Sequence, residues 1–422
     1  MTFTIATDRQ LIRAGASSAR YVMVSAVAPE APHRGVRLPV NIALILDRSG
    51  SMDGARKFVL AREAVEQALR MLNTEDRFAL VVYDDTIDVL QRSTSATHDA
   101  KRSALQALRE VEPRGGTDLS SGWMRGCGEI AEHLSEEGIA RALLLTDGLA
   151  NRGITDRAAL AHHAGELRKR GIATSTFGVG EDFDERLLRD MAHEGGGNFY
   201  FIETPAQIPD LLTSELGEAL EVVARHAALE VVLPRGARAE VLNLFRFTQV
   251  RGGNELRVEL GDLVSGQDVR ALIRVQFAPG RTGEQASLRV GMTGDGAGVE
   301  RGEGMLTWTY ASHVENDGQR RDVEVDREVG TLYAARARAE ATEANRYGDF
   351  NRARRVLLGT ADRIASYAGT DPMLRQLVHE LRAAVPQFAD THLSAMSLKQ
   401  EMFVSDAMQR HRDVLGKARR RP

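Results

Sequence analysis

The chain has 422 residues, 43% of them hydrophobic and 27% charged, with a formal net charge of −4. That length exceeds one ordinary core and implies two or three domains, and the composition excludes a disordered chain. A slightly negative chain has no general attraction for nucleic acid or acidic membranes, and a single cysteine, Cys127, excludes an internal disulfide and a thiolate metal cluster.

Residues 1–37 lack the basic start and apolar core of an export signal. No apolar run in the chain approaches the ~18 residues of a membrane span. A cytoplasmic protein is therefore expected, and the excess of Arg over Lys suggests a GC-rich bacterial genome. Strand-like alternation from Ala19 to Val27 is too little for a separate core, so these residues are expected to complete a sandwich formed later in the chain.

From 38 to 220, short apolar strands alternate with helical patterns, which predicts an α/β domain with a doubly wound, mostly parallel six-stranded sheet. The strands fall near 40–46, 77–83, 87–91, 140–146, 172–178 and 198–201. A helix over 55–73 has Phe58, Ala61, Val65, Ala68 and Leu72 on one face. The link Asp84-Asp85-Thr86 is too short for a crossover helix, so the second and third strands should form an antiparallel hairpin at one edge. In the helix after Asp118, Cys127 shares the apolar side with Leu119, Trp123, Ile130 and Leu134. Gly122, Gly126 and Gly128 in the same helix imply close packing on the sheet.

Between 221 and 315 the pattern becomes antiparallel, with strands at 228–233, 255–260, 269–277 and 287–290 and turns at Arg251–Asn254 and Gly294–Gly296. This predicts a β-sandwich into which the α/β domain is inserted. Residues 322–422 are helical and rich in Ala, Arg and Glu. The stretch from Ala337 to Leu357 resembles one tetratricopeptide hairpin, but arrays need several units, and an appendage packed on the sandwich is the preferred reading. The basic tail Lys417–Arg421 reads as a solvated end.

Three segments carry oxygen-rich chemistry. Asp47-Arg48-Ser49-Gly50-Ser51 follows a buried strand, Gly115-Gly116-Thr117-Asp118 opens a helix, and Thr146-Asp147-Gly148 closes another strand. Open sheets bind ligands beyond the carboxyl ends of their strands, where strand order reverses. If the strands ending at Asp47 and Asp147 are neighbours, that point lies between them, and glycines 115 and 116 let Thr117 approach it. Hydroxyls with two carboxylates suit a hard divalent cation and leave a position for an outside ligand. The set Asp47, Ser49, Ser51, Thr117 and Asp147 resembles the metal-ion-dependent adhesion site of von Willebrand factor type A domains. In that family the pattern is Asp-x-Ser-x-Ser, then Thr, then Asp, and all five positions match.

The resemblance covers roughly residues 38–220 and implies Mg²⁺, with Mn²⁺ or Ca²⁺ as alternatives. It implies a protein partner that offers a Glu or Asp carboxylate. By position alone Arg48, Asn151 and Arg152 flank the crevice and form its rim, with pairing to a neighbouring acid an equal alternative for Arg48. A second implied role is accessory subunit of an AAA+ ATPase of the MoxR kind, docked through the helical end. A phosphatase is disfavoured because Ser49 stands where a proton-transferring Asp is needed, and no phosphate-cradling Gly-x-x-x-x-Gly-Lys motif is present. His162 and His163 are adjacent and do not share a helix face, and His98, His193 and His226 are isolated, so a non-enzymatic binding protein is expected.

Overall fold

The computed structural model describes residues 2–31, 37–135, 138–250, 253–296 and 302–420. The chain divides into two compact units, one of Met1–His33, Val222–Ser394 and Val404–Pro422, the other of Arg34–Glu221 and Ala395–Phe403. The first unit begins with strands β1 (Thr2–Thr7), β2 (Leu11–Arg13) and β3 (Ser18–Val27).

The second unit then runs β4 (Val40–Asp47), α1 (Lys57–Met71), β5 (Arg77–Tyr83), β6 (Ile87–Ser95), α2 (His98–Arg109), α3 (Leu119–Ala131), β7 (Ile139–Thr146), α4 (Arg157–Lys169), β8 (Ile172–Val179), α5 (Glu185–Glu194), β9 (Gly196–Ile202) and α6 (Ile208–Leu220). Its six strands lie in the order β6-β5-β4-β7-β8-β9. All pairings are parallel except β5 with the edge strand β6. Every residue of β4 and β7 is buried, as strands covered on both faces require. The chain leaves β4 for β5 on one side and β7 for β8 on the other, so strand order reverses between β4 and β7.

Helix α1 starts two residues later than its periodicity suggests. Residues 50–56 form a short 3₁₀ segment in which Ala55 (φ 52°) and Arg56 (φ 61°) adopt left-handed backbone. At the other end of the unit, α6 is pinned by the buried Glu215. This carboxylate accepts hydrogen bonds from Arg141 (2.8 Å), Ser175 (2.5 Å), Asn198 (2.9 Å) and Tyr200 (2.7 Å). Along the β9 edge, the buried Lys399 donates to Glu185 (2.7 Å) and to the Phe183 carbonyl, while Phe403 packs edge-on against Phe199.

The first unit resumes with β10 (Val222–Val232), β11 (Arg238–Val241), β12 (Arg246–Val250), β13 (Glu255–Val264), β14 (Asp268–Phe277), β15 (Gln285–Asp295) and β16 (Glu303–Ala311). Two sheets form, β1-β3-β14-β11 and β12-β13-β10-β15-β16-β2, and enclose a core that includes Val24, Leu229, Val258, Ile273, Leu288 and Trp308. Strand β3 pairs with β14 over its full length, from Ser18↔Phe277 to Val27↔Asp268. Strand β11 alternates over only four residues and β12 is almost wholly exposed, so both escape a reading by period. Gly294 and Asp295, expected in a turn, are the last residues of β15. Of the turn expected at Arg251–Asn254, the first two residues lie outside the described residues.

Helices α7 (His313–Gly318), α8 (Val323–Arg346), α9 (Phe350–Ala368), α10 (Pro372–Ala389) and α11 (Ala395–Gln409) follow. Val325, Val329 and Leu332 of α8 pack against Met23, Leu242 and Leu272 of the sandwich, while its alanines 334, 337, 341 and 344 face α9 and α10. Residues 417–420 of the basic tail are held by backbone bonds rather than left as a solvated end. The Asp268 N–H donates to the Arg419 carbonyl (2.9 Å), and Arg420 bridges to Gln267, because the edge of β14 offers backbone groups that the tail satisfies.

The glycines of α3 divide by what they touch. A Cβ on Gly122 would lie 2.4 Å from the Tyr83 ring and one on Gly126 2.4 Å from Ile45, whereas one on Gly128 meets nothing within 4 Å. Close packing therefore accounts for the first two and not for the third. Gly122→Ala is expected to destabilise the protein by about 1–3 kcal/mol through overpacking. Gly128→Ala should stabilise it by about 0.5–1 kcal/mol through helix propensity, both read by urea unfolding.

Candidate metal centre

The parallel pairing of β4 with β7 sets the site. Leu46 is opposite Leu145, so Asp47 and Asp147 emerge together at the carboxyl end of the sheet. Both carboxylates are fully buried. Asp47 Oδ1 accepts the Ser49 N–H (2.7 Å), and Oδ2 accepts the Thr146 hydroxyl (2.6 Å). Ser49 Oγ lies 3.1 Å from Ser51 Oγ, which donates to Asp147 Oδ1 (2.7 Å). Asp47, Ser49, Ser51 and Asp147 thus share one connected set of hydrogen bonds.

Thr117 reaches the same place from the loop before α3. Its carbonyl accepts the N–H groups of Asn151 (3.2 Å) and Arg152 (3.3 Å), and its own N–H donates to Asn151 Oδ1 (3.0 Å). A methyl placed on Gly148 would lie 3.5 Å from Thr117 Oγ1 and 3.7 Å from Ser51 Oγ, so both hydroxyls border the small space that this glycine keeps open. The structure therefore brings all five predicted residues together. Among the described residues no three His, Cys, Asp or Glu side chains converge on one point, so a cation here depends on the hydroxyls. Three hydroxyls and two carboxylates around a glycine-lined space fit a hard divalent ion that retains waters.

Arg48 does not belong to the rim. It is buried and ion-paired with Asp84 (3.1 Å) and Asp88 (2.6 Å). Although burial opposes ionisation of Asp84, hydrogen bonds from Thr86 and Arg114 hold its carboxyl down at about 2. Asp118 caps α3 by accepting the Ser121 N–H (3.0 Å), and Asp53 is exposed. Arg152 is exposed beside Asp85, and Leu149 and Ile154 expose apolar surface on the same loop.

Sequence reasoning missed Lys57. Its ammonium is ion-paired with Asp147 Oδ2 and lies 3.5 Å from the Ser51 carbonyl. The available signal was its place as the first residue of α1, where the helix dipole disfavours a cation unless an anion holds it. Thr146 was also missed, and a hydroxyl at the end of a fully buried strand implies a polar partner.

Residues 41–214 match the family profile of the von Willebrand factor type A domain. This part of the chain is a von Willebrand factor type A domain. Domains of this kind bind a divalent metal at such a site and generally mediate metal-dependent protein interactions. The uncharacterized protein YfbK of Escherichia coli is 26% identical over 59% of this chain and 43% of its own length. An uncharacterized protein of Synechocystis is 27% identical over 64% of this chain and 66% of its own. The matched stretches thus leave a third or more of each relative uncovered. A von Willebrand factor type A structure from Catenulispora acidiphila superposes with a TM-score of 0.73 at 22% identity and 96% coverage of both chains. The ArnB paralog VWA2 from Sulfolobus acidocaldarius superposes at 0.61, with 16% identity over 97% of this chain and 98% of that one. These likenesses show the α/β fold of the von Willebrand domain, and the superpositions extend over nearly the whole chain.

Within the von Willebrand domain, burial pushes the Asp47 carboxyl up to about 6, against the hydrogen bonds from Ser49 and Thr146. A carboxylate raised from 3.8 to about 6 on folding makes the folded state bind an extra proton between those values, so stability falls as pH rises through that window. The penalty at neutral pH is on the order of 3 kcal/mol. In EDTA, Asp47→Asn is therefore expected to raise the unfolding temperature at pH 7 and to make little difference near pH 4, as thermal scans at the two pH values would show.

Lys57 half-neutralises the carboxylate pair and competes with an incoming cation. Lys57→Met should tighten Mg²⁺ binding about fivefold, since a partly exposed ion pair is worth up to about 1 kcal/mol. Calorimetric titration checks this, and weaker binding would show that the ammonium supports the cation.

Proposed function

We propose that this chain is a non-enzymatic binding module. Its von Willebrand domain holds Mg²⁺ through Asp47, Ser49, Ser51, Thr117 and Asp147 and takes an Asp or Glu side chain of a protein partner as the outside ligand. The carrying observation is the donor set: among the described residues two carboxylates converge, joined by hydroxyls, and one of them is already paired with the Lys57 ammonium. A bound divalent cation supplies the Lewis acid to which a partner oxygen attaches. Together with Lys57 it leaves the site with net positive charge, which favours an anionic ligand over a neutral one. Leu149, Arg152 and Ile154 are exposed on the loop that follows Asp147, an apolar and cationic surface suited to the flanks of an acidic side chain.

Ser49 supports the binding reading over a phosphatase. It stands two residues after Asp47, and its hydroxyl is engaged with Ser51, so that position offers no carboxylic acid for proton transfer.

Wild type is expected to bind one Mg²⁺ or Mn²⁺ by calorimetry, and Asp47→Ala none, with an unchanged circular dichroism spectrum. Peptides bearing Glu or Asp should be captured only by wild type in the presence of the cation. Capture that persists in EDTA or in the variant would overturn the mechanism.

A further inference from the structure

The sandwich unit carries a cationic recess that the metal centre does not use. It has a volume of about 470 Å³ and is lined by Tyr21, Glu240, Arg274, Tyr333, Arg336 and Arg363. Three guanidinium groups face one carboxylate there, in a chain whose overall charge is negative. Glu240 is shared between Arg336 (3.1 Å) and Arg274 (3.9 Å). Arg363 has no carboxylate within ion-pair distance among the described residues. It lies instead over the Tyr333 ring, 5.3 Å from the centroid, with Arg336 6.0 Å from the same centroid. The Tyr333 hydroxyl is 3.2 Å from that of Tyr21, and the two rings meet edge-on at 83°. The ring that carries two guanidiniums is itself held in place.

Stacking orients a guanidinium and leaves its N–H groups free to donate in the ring's plane. The walls contain no aliphatic side chain to bury an acyl chain, and the Tyr333 ring on which a base would stack already carries two guanidiniums. An adjoining recess shares Tyr21 and Arg274 and adds Arg9, Arg13 and Arg20. Of these, Arg13 is held by both oxygens of Asp317 (2.6 and 2.7 Å) and Arg9 by Asp8 (3.2 Å), so the two pairs add neither net charge nor a free fork. Three arginines less one glutamate match a dianion. A phosphoryl group carries close to two charges and three acceptor oxygens, whereas a carboxylate carries one charge and two oxygens.

We propose that Arg274, Arg336 and Arg363 form a site for a phosphorylated side chain of a protein partner. Arg363 and Glu240 are exposed, so the recess admits the charged end of a residue whose backbone stays outside.

The test is calorimetric titration of the full chain with a phosphoserine peptide, its unphosphorylated counterpart and inorganic phosphate. It is run in EDTA so that no phosphate is registered through a metal. The phosphopeptide is expected to bind saturably and at least tenfold more tightly than either comparison. Arg363→Ala, at an exposed position that leaves the fold intact, should weaken it about tenfold, and Glu240→Gln should tighten it. Failure of the phosphopeptide to bind, binding no tighter than inorganic phosphate, or binding unchanged in Arg363→Ala would each overturn the assignment.

Discussion

The parallel register of β4 against β7 is the constraint on which the metal centre rests. These neighbours run from Val40↔Ile139 to Leu46↔Leu145, and both are buried throughout. Both strands are buried on both faces, so apolar alternation does not set this register; a slip of one residue would instead turn every side chain of β4 onto the other layer of the sheet and break the bond between Asp47 and Thr146. The carboxylates that follow the two strands are therefore delivered to one point. The reversal of strand order between them keeps the crevice free of a covering helix.

That placement has an electrostatic cost, and the local chemistry shows how it is met. Asp47 is wholly buried, and its two oxygens are occupied by the Ser49 N–H and the Thr146 hydroxyl. Asp147 shares Ser51 with the same network and leans on Lys57. Hydroxyls that donate to these carboxylates can turn their lone pairs to a cation instead, so one set of side chains satisfies the buried acids in either state. The adjacent left-handed residues Ala55 and Arg56 place the start of α1 where Lys57 can reach inward.

The far side of the von Willebrand unit is tied down by a different kind of contact. Glu215 draws four donors from β7, β8 and β9 onto α6, and removing α6 from the sheet would strand that buried charge. The Lys399 pair with Glu185 and the packing of Phe403 on Phe199 fasten the segment Ala395–Phe403 near the β9 edge. These contacts favour a domain in which the sheet and its terminal helix behave as one rigid scaffold for the crevice.

The α/β order, the edge hairpin and the five oxygen-bearing residues were legible in the sequence, because period and turn chemistry are local and the strands that carry Asp47 and Asp147 are apolar enough to read unaided. Helix α1 was placed two residues early, since the left-handed backbone at Ala55 and Arg56 leaves no compositional trace. The edge strands β11 and β12 were missed because the first alternates over only four residues and the second is almost wholly exposed. Arg48 and Lys57 show the remaining limit. Each is a basic residue near the motif, yet one is spent on Asp84 and Asp88 while the other sits on the site's own carboxylate. The arginine cluster of the sandwich unit was invisible for the same reason: Arg274, Arg336 and Arg363 are far apart in the chain, and Arg336 joins the first through Glu240 and the last through the Tyr333 ring. The sequence by itself determined which atoms could hold a cation, since that follows from residue type and strand ends. Only the tertiary structure decided which charges oppose them, because an ion pair is set by distance in space and not along the chain.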